Sequence, residues 1–308
     1  MAEHRHSHKN NHTSPNYDYS GHGHGHGSSK RKPKISYITV ATKPHHNLEL
    51  LKETCNHQNM NLTVLGQGDL RLQSWGNGFG VKLQCVKDAA SKMVYEGNDE
   101  DIVLFTDAYD VLLVGNASEL ITMFESFQSD IVFATENFCH PDSHRASEYP
   151  KPKVNKYTGK ENLPNRYLNS GTFMGRAGAI HKLFKTQSFK VQQDDQRYWT
   201  DIYLSNYNKR GIYGRNLISL DSKSELFMCL AGAANDLVFE KNHQSGNKRN
   251  IRGLYKHVNG SKPIFLHFNG DKTDLQRTYD QWLRNKPLSI FPYNLKRQMQ
   301  KWLDICTK

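Results

Sequence analysis

Short apolar runs alternate with amphipathic segments through the first half of the chain. Four runs rich in β-branched and apolar residues are predicted to be buried strands: 35–42, 62–65, 102–105 and 131–134. The segments between them carry apolar residues at helical spacing: one opening at Leu48, 81–94 and 118–127. This alternation predicts an α/β fold with a mostly parallel, twisted sheet that is flanked by helices on both faces.

The second half has a less regular pattern. Residues 138–166 contain four prolines, many charges and little periodicity, which is typical of a long functional loop. Beyond it the pattern predicts a strand at 167–175, helices near 178–186 and 194–207, and short strands at 216–220, 236–240 and 263–268.

Both ends of the chain differ from its body. Residues 1–33 hold seven of the 16 histidines and no apolar cluster, so we expect a disordered His-rich tail. The ordered domain is expected over 34–279. Trp282 and Trp302 belong to an apolar pattern that predicts a helical extension over 280–308.

Composition excludes several classes of protein. No run approaches the roughly 18 apolar residues that a membrane span needs, so we expect none. The first 30 residues show no apolar signal region, which favours a cytoplasmic location. Five scattered cysteines without a CxxC pair fit neither a disulfide scaffold nor a zinc site. The net charge of +11 suits an anionic partner such as nucleotide phosphate, although a solvated basic surface explains it equally well.

The strongest chemical signal is a pair of acids after the third predicted strand. Asp107 and Asp110 follow that strand directly. Ligands of open parallel sheets bind beyond the carboxyl ends of strands. Two carboxylates in one small volume repel each other, so a divalent cation bridging to a diphosphate would neutralise them. Two exposed turn carboxylates are the alternative.

A second strand end offers a further ligand. His267 ends the strand predicted at 263–268, and an imidazole with two carboxylates suits Mn²⁺ better than an all-oxygen site for Mg²⁺ or Ca²⁺. Gly270 and Lys272 follow, and a glycine turn with a lysine can cradle a diphosphate. Taken alone, His267 is also compatible with a purely structural strand-end histidine.

A glycine-rich loop precedes the second predicted helix. Its sequence, WGNGFG at 75–80, matches neither the Rossmann nor the Walker spacing. With Trp75 at its tip it suits a lid over a ligand, or an ordinary connection whose tryptophan packs on the core. Lys82, just beyond it at a helix start, suits a phosphate contact or an exposed position.

Three further segments carry polar groups near strand ends. Asn169 lies in an apolar strand, where a buried polar group needs a partner such as a sugar hydroxyl or an internal bond at a β-bulge. Asp194 and Asp195 open a helix, where they either cap it or place a carboxylate near a reacting sugar carbon. Glu136 ends the fourth predicted strand, at the same edge of the sheet.

Together these segments resemble a known family. The motifs are ITVAT (38–42), FTDAYDV (105–111), ATENFCHP (134–141), RYLNSGTFMG (166–175), DDQ (194–196) and LHFNGDK (266–272). In order and approximate spacing they look like the glycosyltransferase domain of the multifunctional procollagen lysyl hydroxylases. That domain has a GT-A-type, Rossmann-like fold, and the resemblance covers roughly residues 34–275.

The resemblance implies a retaining transfer of glucose from UDP-glucose to galactosyl-hydroxylysine in collagen-like polypeptides, with Mn²⁺ as cofactor. It assigns roles to the motif residues. The metal ligands would be Asp107, Asp110 and His267; the donor-binding residues would be Thr39, Tyr109 (on uracil), Trp75, Lys82, Gly270 and Lys272. The sugar and acceptor side would be lined by Asn169, Asp194, Asp195 and Glu136.

One departure bears on the substrate. His140 stands where the pattern of the family has tryptophan, so the sugar pocket is expected to differ. The alternatives are a hydroxylysine galactosyltransferase or a transferase for another UDP-sugar and, in a different class, a non-catalytic basic binding module. We expect no nucleic-acid partner, allow a homodimer, and by resemblance expect a cytoplasmic enzyme of a large virus that encodes collagen-like proteins.

Overall fold

A computed structural model describes residues 31–67, 79–151, 165–239, 255–257 and 259–284. Most of the tail expected at 1–33 and of the helical extension expected at 280–308 lies outside these residues. None of the helices in these ranges combines the length and the hydropathy that a membrane span requires.

The described residues form eleven strands and six α-helices. The strands are β1 Ile35–Val40, β2 Leu62–Leu65, β3 Ile102–Asp107, β4 Val111–Leu113, β5 Ser129–Glu136, β6 Tyr167–Arg176, β7 Asn216–Leu220, β8 Phe227–Cys229, β9 Leu237–Phe239, β10 Tyr255–His257 and β11 Phe265–His267. The helices are α1 His46–His57, α2 Gly80–Tyr95, α3 Leu120–Ser126, α4 Ala177–Thr186, α5 Asp195–Asn206 and α6 Thr273–Arg284.

The main sheet has six strands in the order β2-β1-β3-β6-β5-β7. Five strands run in one direction, and β6 lies antiparallel between β3 and β5. The prediction of a mostly parallel sheet flanked by helices is therefore confirmed. Because β6 is reversed, its first residues lie at the edge of the sheet where β3 and β5 end.

Both faces of the main sheet are buried. On one face, α2, α4 and α5 cover an aromatic cluster. In it, the ring centroid of Phe173 lies 5.3 Å from that of Phe105 and 4.8 Å from that of Phe133. On the other face, residues of α1, α3 and a second sheet pack against β3 and β5. Burial of these apolar side chains is the main contribution to stability.

The second sheet has the strand order β4-β11-β8. The sequence pattern predicts a strand at 263–268, which contains β11, but it does not predict the three-residue strands β4 and β8. In this sheet His267 lies opposite Val111 on one side and Cys229 on the other. A separate antiparallel pair, β9 and β10, lies between β8 and β11 in the chain.

Helix α6 crosses residue 280, where the sequence analysis places the end of the domain. Its Trp282 is fully buried and donates from Nε1 to the Val114 carbonyl at 3.2 Å. Leu275 and Tyr279 of the same helix face belong to the same apolar cluster. This part of α6 therefore packs with the second sheet.

Candidate active site

The two sheets bring the acids and the histidine together. Asp107 is the last residue of β3 in the main sheet, and Asp110 directly precedes Val111, the first residue of β4. Because β4 pairs with β11 so that Val111 lies opposite His267, the imidazole is placed beside the turn between the two acids. Backbone pairing alone thus positions all three side chains.

The three predicted metal ligands form one cluster. The Nε2 atom of His267 lies 3.6 Å from Oδ1 of Asp110 and 3.8 Å from Oδ2 of Asp107. One ligand atom from each residue lies within 4.8 Å of the others. The group is compact enough for all three residues to reach one ion.

Two observations show that the cluster fits a cation. His267 is buried, and its Nε2 has no hydrogen-bond partner among the described residues. Gly171 of β6 keeps the space open, since a Cβ there would lie 2.3 Å from Cε1 of His267 and 2.8 Å from Oδ2 of Asp107. The donor set of two carboxylates and an imidazole suits Mn²⁺ and similar divalent ions.

Cys229 holds the other side of the imidazole. Its Sγ lies 3.7 Å from Nδ1 of His267, because β8 and β11 pair in parallel with these two residues opposite each other. Burial raises the pKa of the thiol, so it stays protonated. In the neutral imidazole, the Nδ1–H group then donates a hydrogen bond to the sulfur, and the lone pair of Nε2 faces the acids. This contact is not apparent from the sequence, because the pattern does not predict β8.

Two lysines offset the charge of the acids. The Nζ of Lys82 lies 2.7 Å from Oδ1 of Asp107, and the Nζ of Lys272 lies 2.9 Å from Oδ2 of Asp110. Lys82 is buried at the start of α2, whereas Lys272 is exposed. Both lysines that the sequence analysis proposed for a diphosphate are thus at the cluster.

The pKa values reflect this balance. Burial raises the pKa of Asp110, but His267 and Lys272 outweigh it and hold that pKa well below its usual range. Burial and the nearby Asp110 raise the pKa of Asp107 despite the ion pair with Lys82. Burial alone lowers the pKa of Lys82, yet Asp107 and Asp195 raise it overall, so the ammonium stays charged.

Glu136 anchors the opposite part of the site. It is buried at the end of β5 and accepts hydrogen bonds from three side-chain amides: Asn169 at 3.0 Å, Gln196 at 2.8 Å and Asn269 at 3.0 Å. Glu136 and Asn169 are predicted site residues, whereas Gln196 and Asn269 are not. The signal for these two is their position in the DDQ and LHFNGDK motifs, one residue after Asp195 and two residues after His267.

The two acids at the start of α5 separate into different roles. Asp194 is the N-cap, with Oδ1 accepting the backbone N–H of Arg197 at 2.9 Å. Asp195 is buried, and its Oδ2 accepts from Ser170 Oγ at 3.0 Å and lies 3.4 Å from Lys82 Nζ. The capping alternative thus describes Asp194, while Asp195 is connected through Lys82 to the metal-ligand cluster.

The remaining predicted donor residues differ in exposure. The Tyr109 hydroxyl donates to the Lys43 carbonyl at 3.0 Å, and the His45 ring lies 5.2 Å from the Tyr109 ring. Thr39 is fully buried and donates to the Thr106 carbonyl at 2.7 Å, so its side chain does not reach an open surface. Gly270 has φ +100°, a conformation that favours glycine. Trp75 lies outside the described residues.

Comparison with known proteins defines the class of this fold and site. The family described as PLOD GT domain matches residues 31–285, which is most of the chain. This chain therefore belongs to the PLOD glycosyltransferase-domain family, and the fold class and the family inferred from the motifs are confirmed.

Individual relatives share this region. The rat multifunctional procollagen lysine hydroxylase and glycosyltransferase LH3 is 31% identical over 253 residues, or 80% of this chain and 31% of the relative. The Caenorhabditis elegans multifunctional procollagen lysine hydroxylase and glycosyltransferase is 29% identical over 262 residues, which is 82% of this chain and 33% of the relative. The chain thus spans about a third of the length of these curated relatives.

A solved structure also resembles the chain. It is a glycosyltransferase involved in glycosylation of the major capsid of PBCV-1, with a TM-score of 0.41 and 12% identity, and the match covers 80% of this chain and 100% of that one.

The close approach at Gly171 gives a first testable prediction. In Gly171→Ala the added methyl group must displace His267 or Asp107, so we expect Mn²⁺ affinity to fall at least about tenfold, as measured by isothermal titration calorimetry. Gly175→Ala, in the same strand but facing Ile131 and Ile180, is the matched control and should bind Mn²⁺ normally. Equal Mn²⁺ affinity of the two variants would show that the cluster is not a metal site.

Proposed function

We propose that this chain is a Mn²⁺-dependent, retaining transferase that moves glucose from UDP-glucose to galactosyl-hydroxylysine in collagen-like polypeptides. Membership in the PLOD glycosyltransferase-domain family supports the reaction type, and the names of the relatives support a procollagen-like acceptor. The single observation that carries the proposal is the Asp107, Asp110 and His267 cluster with its open Nε2. A complete ligand set of this kind argues against a non-catalytic binding module.

The donor diphosphate is assigned to the charged cluster. Asp107, Asp110 and His267 would hold the cation, which when bound supplies positive charge to the diphosphate as the leaving group departs. Lys82 and Lys272 already lie at the acids, so a short side-chain movement lets each donate to a diphosphate oxygen. Both ammonium groups then stabilise negative charge at the site where it develops.

The uridine end is assigned to Tyr109. Its hydroxyl donates to the Lys43 carbonyl and its ring is in tilted contact with the His45 ring, so the aromatic surface for uracil is held in position. Because Tyr109 lies between Asp107 and Asp110 in the sequence, uracil and the diphosphate would contact neighbouring residues. Trp75 is proposed as the cover of the donor from the glycine-rich loop.

The sugar and acceptor side is assigned to the amide and carboxylate network. Asn169 and Glu136 offer hydrogen-bonding groups to sugar hydroxyls, held in place by Gln196 and Asn269. Asp195 is the carboxylate that we propose to act near the anomeric carbon, because Ser170 and Lys82 fix its orientation. Asp194 serves this arrangement indirectly by capping α5.

The metal-ligand role of Asp110 is tested by Asp110→Asn. The neutral amide keeps the shape but removes a ligand charge, so we expect release of UDP from UDP-glucose with acceptor to fall by about a thousandfold. Circular dichroism should show an unchanged fold. Asp88→Asn, a change of an exposed acid on α2, is the control and should retain activity. Full activity of wild type in the presence of a chelator would contradict metal dependence.

A second donor specificity is favoured by one observation. His140, where tryptophan is the pattern of the family, is exposed, and its carbonyl accepts from Gln196, which also donates to Glu136. Histidine is smaller and more polar than tryptophan, so the pocket has room for a different donor sugar. The alternative is transfer of galactose to hydroxylysine itself.

A donor screen separates the two specificities. Release of UDP is measured with UDP-glucose and UDP-galactose, each with hydroxylysine and galactosyl-hydroxylysine peptides. The proposed function predicts turnover with UDP-glucose and the galactosylated acceptor. Turnover only with UDP-galactose and plain hydroxylysine would establish the alternative.

A further inference from the structure

A cavity of about 540 Å³ lies beside the candidate active site, between α6 and the segment that follows β8. One wall is a single face of α6, with Asp274, Arg277, Thr278 and Gln281 at helical spacing. The opposite wall carries small residues, including Ala231, Gly232 and Ala234. The cavity thus has one wall with hydrogen-bonding groups and one wall of small side chains, to which the backbone of a ligand can come close.

The cavity borders the sugar side of the site. Asn269 lines it and also donates to Oε2 of Glu136 at 3.0 Å. Gly232 lines it as well, and a Cβ at Gly232 would lie 2.6 Å from the ring of Phe138, so ring and backbone are in close contact. Phe138 follows Glu136 by two residues and is 57% exposed. The cavity is therefore separated from Glu136 by a single side chain, that of Asn269.

The donor is assigned elsewhere. Among the described residues that line the cavity are none of the three proposed metal ligands, neither of the two lysines at the cluster, and not Tyr109. The nucleotide and diphosphate therefore do not need this space. What remains to be bound beside Glu136 is the molecule that receives the sugar.

The chemistry of the walls fits an extended polypeptide with a cationic side chain. A collagen-like chain has the polyproline conformation, in which carbonyl groups are left without local partners, and a glycine at every third residue permits close packing. Arg277, which is 74% exposed at its side chain, offers donors to such carbonyls, and Ala231 and Gly232 leave space for the backbone. The exposed carboxylate of Asp271 suits the ε-ammonium group of a lysine derivative, whereas Asp274 is ion-paired with Arg277 at 2.9 Å.

We infer that this cavity is the docking groove for the collagen-like polypeptide that carries the acceptor residue. The inference rests on the proposed function for the identity of the acceptor. It assigns Arg277 and the facing small residues to recognition of the polypeptide, whereas the hydroxylysine sugar itself is recognised at Glu136.

The test compares two acceptors that differ only in the polypeptide. Free galactosyl-hydroxylysine and a collagen-like peptide containing it are each assayed with UDP-glucose and Mn²⁺. For Arg277→Ala we expect the KM of the peptide to rise about tenfold, since hydrogen bonds from a charged group are lost, while kcat and the KM of the free amino acid stay unchanged. Ala234→Trp, which fills the groove from an exposed position, should have the same effect.

Controls separate this inference from the proposed function. Lys92→Ala removes another exposed, ion-paired cation on a helix and should leave both KM values unchanged. If wild type uses both acceptors and neither groove variant raises the KM of the peptide, the groove assignment is wrong and the proposed function stands. If wild type glycosylates neither acceptor, the proposed function is wrong. In that case, the affinity for a fluorescent collagen-like peptide tests whether the cavity binds the polypeptide. Equal affinities of wild type and Arg277→Ala would show that it does not.

Discussion

Repulsion between two carboxylates at the end of β3 is the constraint on which the site depends. Asp107 and Asp110 share a small, largely buried volume, where like charges are costly unless positive charge is close. Lys82 at the start of α2 and Lys272 just before α6 provide that charge. A divalent cation bound by the acids would replace the lysines as their counter-charge. The two lysines would then be available to bind a diphosphate.

The fold serves this constraint through two strands that do not follow the parallel pattern. The antiparallel β6 places Asn169, Ser170 and Gly171 at the edge where β3 and β5 end, so its glycine can lie against His267. The short β4 returns from the acids and pairs with β11, which fixes His267 beside them. A stable core thus holds a cluster of groups that would be unfavourable in isolation.

Much of this arrangement was predictable from the sequence, because apolar runs define the long strands and polar residues at their ends define the site. Such positions, at the ends of predicted strands or the starts of predicted helices, indicate six residues: Asp107, Asp110, His267, Lys82, Lys272 and Glu136. Cys229 and Asn269 were missed, because their roles depend on contacts between strands and loops that local patterns do not show. Thr39, a motif residue in β1, is fully buried by its neighbours, which the sequence alone does not show.

Anomalous diffraction at the manganese edge, from crystals soaked with Mn²⁺ and UDP, tests the central claim most directly. The account predicts one strong peak within bonding distance of Asp107, Asp110 and His267, with the diphosphate on its open side and Lys82 and Lys272 turned toward the phosphate oxygens. A bound UDP whose diphosphate lies away from these three residues, with no peak between them, would contradict it.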